Sequence, residues 1–105
     1  MIKRLLLMLG LLLIPSILYA GDVNLHWRPN TETDLAGYTI HYGTESGVYT
    51  TNIPVGNVVI HTLSLNAGIY YIVVSAEDTS GNVSDNSYEI KLTVKVGTPS
   101  GFGAG

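Results

Sequence analysis

The chain contains no cysteine, so it has no disulfide staple, no thiolate nucleophile and no lipobox cysteine to carry a lipid. Cations are scarce too, with five Lys and Arg against eight Asp and Glu in 105 residues. That balance excludes nucleic acid as a partner, because neutralising phosphates takes clustered Lys and Arg. There is one Trp and one Phe, and beyond the first 20 residues no apolar stretch follows a helical period. No Ser stands in a Gly-x-Ser-x-Gly elbow beside a base, so the usual nucleophilic hydrolase is absent as well. An enzyme is not expected.

The one long hydrophobic run lies at the start. Met1-Ile2-Lys3-Arg4 forms a basic end, residues 5–14 are apolar, Pro15-Ser16 breaks the run, and Tyr19-Ala20 offers a small residue for cleavage. That order predicts a signal peptide over residues 1–20 and an exported product, periplasmic or extracellular. The run is shorter than the roughly 20 apolar residues a bilayer core requires, so stable membrane insertion is not expected once the leader is cut. An uncut leader would serve as a signal anchor. Removing 20 of the 105 residues leaves 85, enough for one small domain, with Arg28, Lys91 and Lys95 against all eight acids.

The remainder alternates. Val23-Asn24-Leu25-His26-Trp27 places Val23, Leu25 and Trp27 on one face of a strand, and Pro29-Asn30 ends it. Residues 37–43 form a second strand with Tyr38, Ile40 and Tyr42 inward and Thr39 and His41 outward. A turn at residues 44–47 leads to a short third strand over 48–53, which Pro54 stops. Residues 57–65 are β-rich, but their apolar positions do not alternate, so no inward face is assigned. In the fifth strand Tyr70, Ile72, Val74 and Ala76 share one face, and Tyr71, Val73, Ser75 and Glu77 the other. A hairpin loop at residues 78–82 precedes a last strand with Tyr88, Ile90, Leu92 and Val94 inward. Short strands, turn signals and no helix predict an antiparallel β-sandwich over residues 21–96. The Gly-rich residues 97–105 read as a flexible tail.

The ordered set Leu25-His26-Trp27, Asp34-Leu35-Ala36-Gly37-Tyr38 with Tyr42-Gly43, and Tyr70 through Asp78 with Ser80-Gly81-Asn82-Val83-Ser84 resembles a fibronectin type III domain, most like its bacterial members. The resemblance implies an all-β, immunoglobulin-like fold with a core of Trp27, Tyr38, Tyr42, Tyr70 and Val74. It also implies that Tyr70 is a corner tyrosine, its hydroxyl bonded to backbone within residues 65–68. Family members begin with a strand A, yet only Gly21-Asp22 would remain before the Trp strand after cleavage. Strand A is therefore expected to be short or missing, leaving the Trp strand, B, as an open edge that recruits other strands.

The residues also mark candidate sites. His26 and His41 point outward from strands of opposite sheets, so no metal centre is expected from the histidines. Asp78, Ser80, Asn82 and Glu89 match positions one, three, five and twelve of a calcium loop, but Val83 stands where Gly is needed, and Asx turns explain the same residues. No cofactor is expected. His41, Tyr71, Val73 and Tyr49 are candidates for a binding surface on the outer sheet face. The resulting expectation is a non-catalytic secreted interaction or adhesion module for a protein or cell-surface glycan. The alternative is a structural subunit assembled by β-strand complementation at the B edge, with homo-oligomers formed by strand exchange.

Overall fold

The computed structural model of the chain describes residues 17–96. Its strands are β1 (Ile17–Tyr19), β2 (Gly21–His26), β3 (Leu35–Gly43), β4 (Thr51–Gly56), β5 (Ile60–Leu65), β6 (Gly68–Asp78) and β7 (Ile90–Lys95). They form two layers, one ordered β1-β7-β6-β3-β4 and the other β2-β5. Every pairing is antiparallel except that of β1, which runs parallel to β7. Among the described residues no helix is long and apolar enough to cross a membrane.

Alternation explains the layers. Val23, Leu25 and Trp27 from the β2 side, with Leu63 and Leu65 from β5, close onto Tyr38 and Ile40 of β3, Ile72, Val74 and Ala76 of β6, and Leu92 and Val94 of β7. The Trp27 and Tyr38 rings meet edge to face, with centroids 5.6 Å apart. Such a contact is worth about 0.5–1.5 kcal/mol beyond the area it buries. The Trp27 indole N–H is buried with no acceptor, so its bulk is what specifies the position. Tyr42 and Tyr70 are half-buried, pack against this core and form a second edge-to-face pair at 6.0 Å. The Tyr70 hydroxyl donates to the Asn66 carbonyl at 2.8 Å, fixing the β5–β6 corner.

Several expectations from the sequence need correction. The third strand is not residues 48–53 stopped by Pro54 but Thr51–Gly56, with Pro54 inside it. Proline is tolerated there because β4 is the sheet edge and the β3–β4 register shifts beside Tyr38 and Thr39. Tyr88 does not face inward: it is 84% exposed, and β7 begins only at Ile90. In its place Ser84 and Ser87 line the buried side. The unassigned stretch resolves into β5, whose Leu63 and Leu65 face the core while Val58, Val59 and Ile60 stay exposed.

At the start of the sandwich, β1 uses residues that the sequence places in the leader. Ala20 extends the contact by donating its N–H to the Lys95 carbonyl at 2.7 Å. Cleavage after Ala20 would remove β1 and leave β7 as an edge. Gly21 then turns the chain into the other layer at φ +129°, a conformation that side-chain-bearing residues avoid. Most of the expected leader, residues 1–16, and the whole of the expected tail, residues 97–105, lie outside the described residues.

Candidate functional site

The outer face of the larger sheet carries His41 from β3 and Tyr71 and Val73 from β6, with His41 directly opposite Val73. Glu89 comes directly before β7, whose first residue, Ile90, lies opposite Ile72 of β6. Glu89 is held by the loop joining β3 to β4. Its Oε2 accepts from the Ser46 hydroxyl at 2.6 Å, and its Oε1 accepts from the Gly47 N–H at 2.9 Å and the Tyr49 hydroxyl at 2.6 Å. Because β6 separates β3 from β7, a loop that leaves β3 and reaches Glu89 must pass over β6. It thereby roofs Val73.

The structure thus brings the four candidate surface residues onto one face but does not leave them open. Val73 is only 1% exposed, which corrects its expected place in an exposed patch, and Tyr49, Tyr71 and His41 are half-buried. The His41 ring is bridged on both sides, Nδ1 to the Asn52 side-chain oxygen and Nε2 to the Ser75 hydroxyl at 2.8 Å. Gly43 permits the fold-back, since a Cβ there would lie 2.1 Å from the Val48 carbonyl oxygen. Electrostatics follow from the same contacts. The Ser46, Tyr49 and Gly47 donors hold the Glu89 carboxyl below its ordinary value, and burial, with Glu89 adjacent, pushes Tyr49 up to about 12.

Asp78 is likewise committed to structure. Asp78 Oδ1 accepts the Ser80 and Asn82 backbone N–H groups, and its Oδ2 accepts the Asn82 amide, each at 2.9 Å. Hydrogen bonding from Asn82 is the main reason its carboxyl sits below the ordinary range. The calcium spacing does not converge, because Asp78 closes its own hairpin turn while Glu89 binds the 44–49 loop. His26 lies opposite Ile60 on the outer face of the β2–β5 sheet, and His61 lies opposite Leu25 on the inner one. Among the described residues no group of His, Cys, Asp and Glu could hold a metal ion.

Among the described residues the strands with an unpaired side are β1 and β4 of the larger sheet and β2 and β5 of the smaller one. The β2–β5 register continues one step beyond the strands, where Trp27 N–H donates to the Val59 carbonyl at 3.0 Å. In an antiparallel pair every second residue bonds across the ladder, so Val23, Leu25 and Trp27 point their backbone groups at β5. Asp22, Asn24 and His26 point theirs the other way. No strand among the described residues pairs with that edge. An open B edge is expected from the sequence, whereas the exposed Val58-Val59-Ile60 step on the β5 side of β2 is hidden by the irregular pattern of residues 57–65.

Two layers of this order, closed on a central indole, define an immunoglobulin-like antiparallel β-sandwich. No family model matches the chain, and no curated protein does either. Solved structures do. A fibronectin type III domain of the human KIAA0970 protein superposes with a TM-score of 0.71 at 23% identity, over 91% of this chain and 79% of that one. An Fn3-like protein from Clostridium thermocellum gives 0.60 at 26% identity, over 86% and 93%. A β-1,2-glucanase from Parabacteroides distasonis gives 0.66 at 19% identity over 86% of this chain, which spans 14% of the glucanase. The chain has the fibronectin type III fold.

Proposed function

We propose that this chain is a non-catalytic, exported interaction module that engages a protein or cell-surface glycan through the open β2 edge and the adjoining loop tip. One observation carries the reading. His41, Glu89 and Asp78 are tied into structural hydrogen bonds, whereas no strand among the described residues pairs with the outer edge of β2, in the same small sheet as exposed Ile60 and close to exposed Val58 and Val59. Unpaired edges recruit strands, and contiguous exposed apolar side chains mark contact sites. The same fold forms a small part of a much longer glucanase chain, which fits a module whose work is attachment. The leader-like residues 1–20 support export.

The same open edge supports a second reading, a structural subunit assembled by strand complementation. Crosslinking capture from the native envelope tests the surface assignment. Asn24→Pro removes an edge-facing N–H without touching the β2–β5 ladder, and Ile60→Glu places a charge at the loop tip. Both are expected to lose partners that the parent and Tyr71→Ala retain. Recovery of the same partners by both variants would show that the surface is misplaced.

A further inference from the structure

We infer that the β2 edge is self-complementary and pairs with the β2 edge of a second copy, antiparallel and centred on Asn24. The inference rests on the reading that this edge is the interaction surface, and it names the partner. The edge-facing backbone groups belong to Asp22, Asn24 and His26, a set symmetric about Asn24. Its limits are fixed on both sides. β2 begins at Gly21, where cleavage after Ala20 would also leave the chain end, and it ends at His26. Between those limits the register that pairs most edge-facing residues sets Asn24 against its twin, with Asp22 opposite His26 of the second copy, twice by symmetry.

Charge selects the same arrangement. The exposed edge begins with a carboxylate at Asp22 and ends with the imidazole of His26 and the guanidinium of Arg28. Antiparallel self-pairing brings opposite ends together, and parallel pairing would set like against like. The Asn24 side chain does not obstruct the approach, because its Oδ1 accepts from the Thr62 hydroxyl at 2.7 Å on the β5 side. On the inner face Val23 would lie opposite Leu25 of the second copy, so the two small sheets would join into one of four strands with a continuous apolar side. The other edge, on β5, has no Asp, Glu, Lys or Arg to set a register. About six backbone hydrogen bonds form in this way, which makes a small interface and a weak, concentration-dependent dimer.

The absence of cysteine supplies a direct test. Residues paired at the symmetry axis have Cα atoms about 5.5 Å apart, within the span of a disulfide, whereas other positions meet a different residue of the second copy. Single Asn24→Cys, Asp22→Cys, His26→Cys and Thr62→Cys variants of the exported protein are oxidised, and covalent dimer is followed by mass. Asn24→Cys is expected to crosslink about tenfold faster than the other three, and a mixture of Asp22→Cys with His26→Cys is expected to give the mixed dimer. Sedimentation of the cysteine-free protein should show a dimer that Asn24→Pro abolishes and Thr62→Pro leaves intact. Equal crosslinking at all four positions, a maximum at Thr62→Cys, or a monomer at every concentration overturns the inference. A monomer whose envelope partners are still lost on Asn24→Pro would overturn self-pairing alone and leave the edge as the surface for another molecule.

Discussion

Ser84 and Ser87 give the sharpest stability prediction, because each replaces a strand partner by itself. The Ser84 N–H donates to the Ala76 carbonyl at 2.8 Å while its hydroxyl oxygen accepts the Ala76 N–H at 2.9 Å. Ser87 does the same for Val74, at 2.8 and 2.9 Å. Both serines are buried, at 8% and 5% exposure, so water cannot take over from a missing hydroxyl. Ser87→Ala strands the Val74 N–H in the core, at about 1–3 kcal/mol for a buried unsatisfied donor. In a domain of this size each kcal/mol lowers Tm by about 4–8 °C. The double variant Ser84→Ala/Ser87→Ala should lose about 2–6 kcal/mol, a large share of a small domain's stability. Urea unfolding measures the loss, and amide exchange locates it at Val74 and Ala76. Ser87→Thr, which keeps the oxygen, and Asp85→Ala, at an exposed position, serve as controls. A Ser87→Ala protein within about 0.5 kcal/mol of the parent, with Val74 exchange unchanged, would refute the reasoning.

Glu89 has its carboxyl held below the ordinary 4.5, so its contribution is present above that value and is lost as pH falls further. Unfolding midpoints measured from neutral pH downward should therefore fall less steeply in Glu89→Gln than in the parent. Tyr49 acts at the other end, since its ordinary value of 10.0 rises to about 12 in the fold. Its contribution is complete below pH 10 and disappears on the way to 12, and spectrophotometric titration of the parent against Tyr49→Phe should show Tyr49 ionising late. Gly43→Ala forces a Cβ onto the Val48 carbonyl and should lift the 44–50 loop, returning that late tyrosine to the main titration and lowering Tm. Tyr70→Phe removes the bond to the Asn66 carbonyl and should cost about 0.5–1.5 kcal/mol by urea unfolding.

Much of the sandwich was legible because its inner faces obey period two. Val23, Leu25 and Trp27, then Tyr38 and Ile40, alternate with less buried residues as the period requires, and Ile72, Val74 and Ala76 line the core although Val73 and Ser75 between them are buried as well. Tyr88 broke the rule for a physical reason. Ser87 lies three positions after Ser84, yet Val74 lies only two positions before Ala76 opposite, and the step to Ile90 opposite Ile72 repeats the mismatch. Each mismatch adds a residue and shifts the phase, which a pattern read residue by residue does not register. Val73 was misread for a different reason, since a loop distant in sequence covers it and alternation carries no information about roofs. Pro54 reads as a strand end because proline breaks ladders, but an edge at a register shift tolerates it. The open β2 edge was foreshadowed by the few residues preceding Trp27, while its symmetric set of backbone groups needed the register with β5.

Amide exchange along β2 of the exported protein tests the open edge most directly. In dilute solution the Val23, Leu25 and Trp27 amides, which face β5, should be protected, and those of Asn24 and His26 should exchange freely and slow down as concentration rises. Protection of Asn24 and His26 at every dilution would mean that the molecule already covers this edge itself, and both the surface and its self-pairing would fall.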